Sequence, residues 1–575
     1  MSQPLLKEIA PTSRPELDKL VERLKKNADA YARSPIGDRI DLARGMIAGF
    51  VAVAEDAVRA ACAAKGVDFD SPMSAEDWLA GSVVTIRTLR LTVDALERIA
   101  RGESPIPAKR VRTRPDGRVV VDVFPTGIFD QLLVTGFRGE VWMEAGLSSA
   151  DVIARAGSHY HVDPSKRQGK LSLVLGAGNV ASIAALDVAY KLFVEGKVCL
   201  LKMNPVNAYL GPFIESAMSA AVERGLVAVC YGGGDVGAYL CEHPLVDEIH
   251  ITGSDKTHDA IIWGPPGKER DARKAKREPL NQKEITSELG NVSPVIVVPG
   301  PYSDSEFAFQ AASIASAVTN NGSFNCNATK MLVQSKNWPG RQRLLDGIRA
   351  SLTKSPLRMA YYPGAEGRWK DLVESHPDAV RLGDAKPGEL PWALITGLDA
   401  KDKDERCFFT EPFCSLLSEA VLEPSDPVDF LDAAVDFAND RLWGTLNASI
   451  IVHPESLQSP RVAQALDRAI AKLRYGAVAI NHWPAVVYAL GSLPWGGHPS
   501  ATLENIQSGR GWVHNTYLLE GIEKSVLFGP LVLRPKPPWF QSHSQAHILG
   551  RKLAAFEAAP SLRQVPSIVW SAIRG

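Results

Sequence analysis

The chain has 575 residues, more than a single hydrophobic core usually holds, so we expect two or three domains. With 45% hydrophobic and 22% charged residues, its composition is typical of a globular protein and excludes a disordered or fibrous one. The formal net charge of −1 gives no field that would attract nucleic acid, so we expect no nucleic-acid partner.

The N-terminal stretch, MSQPLLKEIAPTSRPELDKL, contains acidic residues and prolines where a secretory signal needs an unbroken apolar segment. No run of about 18 apolar residues occurs, so no membrane span is predicted. The seven cysteines are Cys62, Cys199, Cys230, Cys241, Cys326, Cys407 and Cys414. Because they are scattered and form no CxxC pair, the pattern favours reduced thiols over disulfides or a zinc motif. We therefore expect a cytoplasmic protein without metal ligands.

The first third of the chain predicts helices and one hairpin. Residues 14–100 place apolar residues three and four positions apart, which predicts surface helices packed on a larger body. After the turn signal RPDG, the β-branched run RVVVDVFP at 118–125 predicts a strand leaving a hairpin. Residues 126–170 show no clear period, and we interpret them as an insertion without an assigned structure.

From residue 171 onward, short β-rich runs alternate with amphipathic stretches. The runs are KLSLVLGAG, GKVCLLKMNP, LVAVCYGGG, VDEIHITGS and SPVIVVPG. This alternation predicts βαβ units and a parallel sheet with helices on both faces. Such sheets bind ligands where strands end and helices begin. A second alternating pattern over about 291–481 predicts a second α/β domain.

Two further segments are less regular. Residues 263–283 carry prolines and a dense basic run, which favours a solvated loop over a phosphate site. From about Pro530 the chain is a proline-marked tail that contains the amphipathic stretch HILGRKLAAFEAA.

Two consecutive turns favour a dinucleotide phosphate site. The segment YGGGDVGAYL (231–240) supplies glycines after a strand, and glycine allows the backbone to approach a pyrophosphate closely. The next strand ends in ITGSD, where Ser254 and free backbone N–H groups begin a helix. Either turn alone is equally consistent with a structural βα turn, whereas the two together favour a bound dinucleotide.

Six short motifs then occur in the order of one known family. They are GGGDVGAYLCEHPLVDEIHITGS, SELGNVSPVIVV, a lone cysteine after an asparagine-rich segment, FFTEPFCSLL, FANDRLWGTLNASIIV and LPWGG. Through them, the segment from Leu171 to Pro530 resembles the aldehyde dehydrogenase superfamily. The resemblance implies an α/β fold with a Rossmann-like nucleotide domain, an α/β catalytic domain and a small β arm that joins subunits into homodimers or homotetramers.

The resemblance also implies domain boundaries. We expect an NAD(P)-binding domain in 1–117 and 171–290, an arm with an insertion in 118–170 and 498–535, a catalytic domain in 291–497, and a C-terminal extension in 536–575. The strand RVVVDVFP and the late segment SVLFGPLVL (525–533) are similar to the strands of that arm.

The activity implied by the resemblance is NAD(P)-dependent oxidation of an aldehyde to a carboxylic acid. Cys326 would be the nucleophile, because a thiolate that adds to an aldehyde creates a tetrahedral hydride donor, and its polar setting favours a thiolate. Asn179 would stabilise the oxyanion together with the cysteine's backbone N–H. Glu288 in SELGN would activate the water that releases the acid. The structural alternatives are a small core cysteine, a turn asparagine and a surface glutamate.

The same motifs imply a set of cofactor contacts. They are Lys202, Gly233, Gly237, Ile251, Gly253, Ser254, Leu289, Gly290, Glu411 and Phe413. Lys202 matches a lysine at the adenosine ribose, and Glu411 and Phe413 match the pair at the nicotinamide. Pro205 stands where NAD-preferring members often carry a glutamate that binds the ribose hydroxyls. Without that carboxylate a 2′-phosphate is not repelled, so NAD and NADP both stay open.

The sequence also departs from the family pattern near the nucleophile. Gly322 is displaced by one position, and Phe324 stands where a glutamine is usual. The stretches LVLGAGNV and KMNP resemble fatty acyl-CoA reductases, which convert a thioester to an aldehyde and generally lack the water-activating glutamate. Glu288 therefore favours oxidation to the acid. A CoA-dependent reaction and a non-catalytic binding protein of the same fold stay as alternatives.

Overall fold

A computed structural model describes residues 9–575, and residues 1–8, which open the N-terminal stretch interpreted above, lie outside the described residues. The strands are β1 (Val111–Thr113), β2 (Val119–Phe124), β3 (Arg138–Met143), β4 (Leu171–Leu175), β5 (Val198–Lys202), β6 (Val227–Cys230), β7 (Glu248–Gly253), β8 (Glu284–Leu289), β9 (Pro294–Val297), β10 (Met331–Ser335), β11 (Arg358–Met359), β12 (Val380–Leu382), β13 (Glu389–Leu390), β14 (Trp392–Asp399), β15 (Leu416–Leu422), β16 (Asn447–Ile451), β17 (Ala477–Ile480) and β18 (Ile522–Phe528).

The helices are α1 (Arg14–Ala32), α2 (Ile36–Lys65), α3 (Ala75–Asp77), α4 (Val84–Ala100), α5 (Ile128–Leu133), α6 (Ser149–Arg155), α7 (Ser158–His161), α8 (Ile183–Phe193), α9 (Gly211–Ala217), α10 (Ser219–Glu223), α11 (Gly234–Glu242), α12 (Asp255–Trp263), α13 (Lys268–Lys276), α14 (Asp304–Thr319), α15 (Gly340–Thr353), α16 (Ala365–Glu374), α17 (Arg406–Phe409), α18 (Pro427–Asp440), α19 (Pro460–Lys472), α20 (Ala485–Leu490), α21 (Ala546–Ala558) and α22 (Val565–Ile573).

The smaller of the two large sheets is parallel throughout, with the strand order β6-β5-β4-β7-β8. Its strands are apolar because helices cover both faces; every residue of β5, for example, is buried. The chain runs outward from β4 to β6 and then returns to add β7 and β8 on the other side. The crevice between β4 and β7 is therefore the point where the strand order reverses, which is where open α/β sheets bind ligands.

Helix α1 shows how the N-terminal region joins this sheet. The helix begins with a capping box in which Ser13 and Glu16 satisfy each other's backbone N–H groups. Leu17, Val21 and Leu24 recur at three- and four-residue spacing and are buried in the same core as the strands. The predicted surface helices are thus confirmed as a layer on the nucleotide-type sheet.

The larger sheet has eleven strands in the order β1-β2-β3-β18-β17-β16-β9-β10-β15-β14-β12. The seven strands from β18 to β14 are parallel, and β12 and β3 close the two ends of this group with antiparallel pairs. The predicted α/β fold class is therefore confirmed.

The strands assigned to an arm belong to this larger sheet within the same chain. β3 pairs with β18, and β18 pairs with the catalytic-type strand β17. The late strand covers Ile522–Phe528, so it starts earlier and ends earlier than the segment 525–533. The domain boundaries and the role of these strands in joining subunits stay predictions.

Three segments differ from the sequence expectation. Residues 126–170 form α5, β3, α6 and α7, which are too short for a periodic pattern to reveal them. The basic run folds into α13 instead of a loop; none of its residues is buried, so no apolar stripe marked it. The C-terminal tail forms α21 and α22, and Glu557 ties it to α4 through an ion pair with Arg87 at 2.9 Å.

Within residues 9–575, none of the helices combines the length and apolar content that crossing a bilayer requires.

Candidate active site

A cleft of about 1660 Å³ lies at the carboxyl ends of the smaller sheet and reaches the loops of the larger one. All thirteen predicted site residues line it: Asn179, Lys202, Gly233, Gly237, Ile251, Gly253, Ser254, Glu288, Leu289, Gly290, Cys326, Glu411 and Phe413. They come from segments more than 200 residues apart, so tertiary structure brings the whole set together. The roles of the individual residues stay predictions.

The loop that carries Cys326 has an unusual backbone. Helix α14 ends at Thr319, and Asn321, Gly322 and Ser323 then all have left-handed φ values of 53°, 65° and 71°. Non-glycine residues in this region store strain, and such strain is concentrated at functional sites. Cys326 is partly exposed to the cleft although its neighbours on both sides are buried.

Three polar side chains hold the backbone carbonyl of Cys326 in place. Its carbonyl oxygen accepts a hydrogen bond from Asn447 Nδ2 at 3.1 Å and lies 3.1 Å from Ser293 Oγ. The ammonium of Lys330, which is buried, lies 3.3 Å from the same oxygen. A carbonyl fixed in this way fixes the peptide plane and hence the direction of the thiol.

Two donors are available for an oxyanion beside the thiol. The Asn179 amide donates one N–H to the Phe324 carbonyl at 2.9 Å, which leaves its second N–H for another acceptor. Among the described residues, the backbone N–H of Cys326 has no acceptor. These two groups are the pair that the sequence analysis assigned to oxyanion stabilisation.

The Cys326 thiol faces the Glu288 carboxyl closely enough to hydrogen-bond. Burial raises the pKa of Glu288 to about 8, while a hydrogen bond from Trp495 Nε1 at 3.2 Å and the bond from Cys326 oppose the shift. Burial and the nearby Glu288 also raise the pKa of the Cys326 thiol well above its usual range. The polarity of the loop predicted a stabilised thiolate, whereas burial and the neighbouring Glu288 favour the protonated thiol.

The wall opposite the thiol is built around Glu411. Its carboxylate forms an ion pair with Lys330, and a side chain at Gly290 would overlap that carboxylate, so only glycine lets the two segments approach. Phe413 has a φ of 40° and packs its ring 4.9 Å from the ring of Tyr362. These residues form one continuous wall that leads from Cys326 along the cleft.

The far end of the cleft fits a dinucleotide. Lys202 is only 8% exposed, yet it has no hydrogen-bond or ion-pair partner within residues 9–575, and burial lowers its pKa. The N-termini of α11 and α12 open beside it, and a Cβ at Gly234 or Gly237 would meet open space. Unpaired backbone N–H groups at helix N-termini together with an unpaired lysine are suited to phosphate and ribose oxygens.

Several residues that shape the site escaped the sequence analysis. Trp495, Ser293 and Asn447 lie within the quoted motifs and Lys330 lies four residues after Cys326, but nothing in the sequence shows that they point inward. A lysine is almost never fully buried unless it is paired. Without knowledge of its ion pair with Glu411, Lys330 would be predicted to lie on the surface. Its position four residues after the cysteine was the one available signal.

Sequence comparison finds similarity over part of the chain. Residues 181–355 match the model of the aldehyde dehydrogenase family. The chain is 34% identical over 139 residues to 4-trimethylaminobutyraldehyde dehydrogenase A of Danio rerio, which covers 24% of this chain and 23% of that protein. It is 29% identical over 230 residues to betaine aldehyde dehydrogenase of Agrobacterium fabrum, 39% of this chain and 41% of that protein. The chain thus spans less than half the length of these curated relatives.

Structural similarity extends over nearly the whole chain. A variant of aldehyde dehydrogenase C from Pseudomonas syringae, complexed with NAD+ and octanal, superposes with a TM-score of 0.59 at 14% identity, over 92% of this chain and 91% of that one. The NADP-dependent glyceraldehyde-3-phosphate dehydrogenase from Bacillus halodurans, complexed with NADP, gives 0.58 at 17% identity, over 91% and 92%. At these identities the likeness establishes the fold.

Proposed function

We propose that this chain belongs to the aldehyde dehydrogenase superfamily and that it oxidises an aldehyde to a carboxylic acid with NAD or NADP. The observation that carries the proposal is the pairing of Cys326 with Glu288 beside two unused hydrogen-bond donors, at one end of a cleft that fits a dinucleotide. A nucleophile, a base and oxyanion donors in contact are the set that acyl chemistry at an aldehyde carbon needs.

The first step uses Glu288 as the base for Cys326. Because the thiol has a raised pKa, it reacts only when a neighbouring group takes its proton, and the adjacent carboxylate is placed to do so. The sulfur then adds to the aldehyde carbon, and the oxygen gains negative charge. The second N–H of Asn179 and the backbone N–H of Cys326 stabilise that charge.

The dinucleotide is held by residues along the cleft. Lys202 and the N-termini of α11 and α12 would bind the adenosine ribose and the phosphates, while Glu411 and Phe413 would position the nicotinamide end. When bound, the nicotinamide accepts the hydride that leaves the tetrahedral carbon. Loss of hydride leaves a thioester on Cys326.

Release of the acid requires a water activated beside the thioester. Glu288 is buried next to Cys326 and titrates at about pH 8, so an appreciable fraction is a carboxylate under mildly alkaline conditions. After the proton taken from Cys326 has passed to solvent, Glu288 takes a proton from the attacking water. The water oxygen bonds to the acyl carbon, the carbon–sulfur bond breaks, and its electron pair stays on the Cys326 sulfur as a thiolate. This second role for Glu288 is what favours an acid product over a CoA thioester.

The test is NAD(P)H formation from a panel of aliphatic and aromatic aldehydes, with and without CoA, by the wild type and by Glu288→Gln. We expect acid without CoA, and for the variant a slow release of one equivalent of NAD(P)H that then stops. Turnover that needs CoA, or that runs only from an acyl-CoA with NAD(P)H and is indifferent to the variant, would establish the reductase instead. No turnover of either substrate class would establish a non-catalytic protein.

A further inference from the structure

Outside the cleft, a histidine, a glutamate and a cysteine converge from two distant segments. His376 lies just after the end of α16, Glu405 is the residue that caps α17, and Cys407 lies within α17. One potential ligand atom from each residue lies within 4.8 Å of the other two. The side chains of His376 and Glu405 are 16% and 9% exposed, and Cys407 is 3% exposed, so the cluster is mostly buried but opens to solvent on one side.

The hydrogen bonds of His376 define its protonation at one nitrogen. Its Nδ1 lies 2.6 Å from the carbonyl oxygen of Leu372, which can only accept, so Nδ1 carries a hydrogen. In the neutral ring, Nε2 then has a lone pair, and this lone pair faces Glu405 Oε2 at 3.1 Å. Two acceptors cannot remain at this distance unless a positive species, either a proton or a metal ion, lies between them.

The remaining contacts favour a metal over a proton alone. Glu405 Oε1 accepts the backbone N–H of Cys407 at 2.7 Å, which turns the other carboxylate oxygen toward the histidine. The thiol of Cys407 lies against the same carboxylate. Imidazole, carboxylate and thiolate together form a set of ligands that zinc binds.

We infer that His376 Nε2, the Glu405 carboxylate and Cys407 Sγ bind one zinc ion, with water as the fourth ligand. The bond from Nδ1 to a backbone carbonyl is the outer-shell contact that commonly orients a metal-bound histidine. Binding replaces the thiol proton, and the proton on Nε2 when one is present, by zinc–sulfur and zinc–nitrogen bonds, and these protons pass to solvent. The sequence gives no short motif such as CxxC for this site, because its ligands come from positions up to 31 residues apart.

The site has a structural consequence. α17 leads directly into the segment that carries Glu411 and Phe413, two residues of the cleft wall. A bound ion would join the end of α16 to the start of this segment. The inference stands apart from the proposed activity, because it concerns metal binding by residues that do not line the cleft.

The experiment is a zinc titration of the full chain in competition with a chromophoric chelator. It is run in the Cys326→Ala background, because the partly exposed Cys326 thiol is a competing ligand. We expect one equivalent of tight binding, weakened at least about 100-fold by His376→Gln and by Cys407→Ser. Cobalt in place of zinc is expected to give a thiolate-to-metal charge-transfer band that Cys407→Ser abolishes.

Matched controls come from the same chain. Cys414→Ser changes another buried thiol nearby, and His453→Gln changes a histidine that lies 3.3 Å from Glu306 without a cysteine beside it. Neither is expected to change zinc affinity, and near-ultraviolet circular dichroism identifies any variant that loses its fold. Absence of tight binding in the folded parent, or equal losses in the controls and the ligand variants, would show that a proton alone bridges His376 and Glu405.

Discussion

The ammonium of Lys330 lies 3.3 Å from the carbonyl oxygen of Cys326 and forms an ion pair with Glu411. One buried cation therefore contacts both the backbone of the candidate nucleophile and the carboxylate of Glu411, which lines the same cleft. A further bond to the Asn325 carbonyl at 2.9 Å fixes the ammonium in place. The two segments are coupled through a side chain that is fully buried.

Replacing Lys330 by methionine is expected to destabilise the protein strongly. The change leaves the Glu411 carboxylate and several carbonyl oxygens without their partner, and breaking a buried pair in this way costs about 3–5 kcal/mol. Chemical denaturation measures the loss. Lys336→Met is the control, because Lys336 forms an exposed pair with Glu423 at 3.1 Å, and such pairs contribute about 0–1 kcal/mol. Equal losses in the two variants would contradict the role of Lys330.

Removing the Cys326 thiol is expected to abolish turnover while leaving the cofactor site intact. Cys326→Ala should lower kcat at least about 10³-fold, equivalent to about 4 kcal/mol of barrier, because no other described group can form the thioester. NAD(P)H binding, followed by fluorescence, should change less than about threefold. Cys62→Ala, which changes a buried core cysteine, is the control. Retained turnover in Cys326→Ala would refute covalent catalysis.

The pH profile of acyl formation is expected to follow Glu288. Its pKa is about 8, and only the carboxylate can take the thiol proton, so the burst rate of the wild type should rise as pH increases through about 8. Glutamine does not titrate, so this rise should be absent from Glu288→Gln. Stopped-flow measurement of NAD(P)H from pH 6 to 9.5 checks both. A rise of the same size in the variant would assign the titration to another group.

The raised pKa of Glu288 also predicts a pH-dependent stability difference. Between its ordinary value of 4.5 and about 8, the folded protein keeps a proton that the unfolded chain has lost, so wild-type stability falls over this range and the fall is complete above pH 8. Glu288→Gln avoids this cost. Its stability advantage should be larger at pH 8.5 than at pH 5 by on the order of 1–3 kcal/mol, equivalent to roughly 1–3 °C in Tm. Scanning calorimetry at the two pH values is the measurement, and an equal difference at both would argue against a buried, titrating carboxyl.

Cofactor choice is expected to depend on Pro205. This residue is exposed three positions after the end of β5, at the start of a short 3-10 helix, so it tolerates a new side chain without disturbing the core. Pro205→Glu should weaken NADP binding at least about tenfold and keep NAD binding within about threefold, because a carboxylate there repels the 2′-phosphate and accepts from the ribose hydroxyls. Pro205→Gln is the control: glutamine has nearly the size of glutamate but no charge, so it shows how much of the change in NADP binding comes from the carboxylate charge. Equal losses for both cofactors would place the adenosine ribose elsewhere.

Much of the fold was predictable because short segments of the sequence show which residues form strands, helices and turns. Alternating β-rich and amphipathic runs identified the parallel sheets, and turn residues at strand ends identified the cleft, since neighbouring parallel strands carry their carboxyl ends to the same edge. The order of six motifs added the candidate nucleophile and base, and matching to the same family in GAGNVASI added the amide of Asn179. Short or uniformly polar elements such as α13 were not predicted, because a helix without an apolar stripe has no periodic signal in the sequence.

By itself, the sequence determined the α/β architecture, since strand and helix periods are properties of short segments. Its resemblance to a known family added thirteen predicted site residues, all of which line one cleft. Tertiary structure decided which charges are buried and what they meet. It paired Lys330 with Glu411, placed Trp495 on Glu288, and brought His376 against Glu405 and Cys407. The pKa of a group depends on the water and charges that distant segments remove or supply, and that information exists only once the chain has packed.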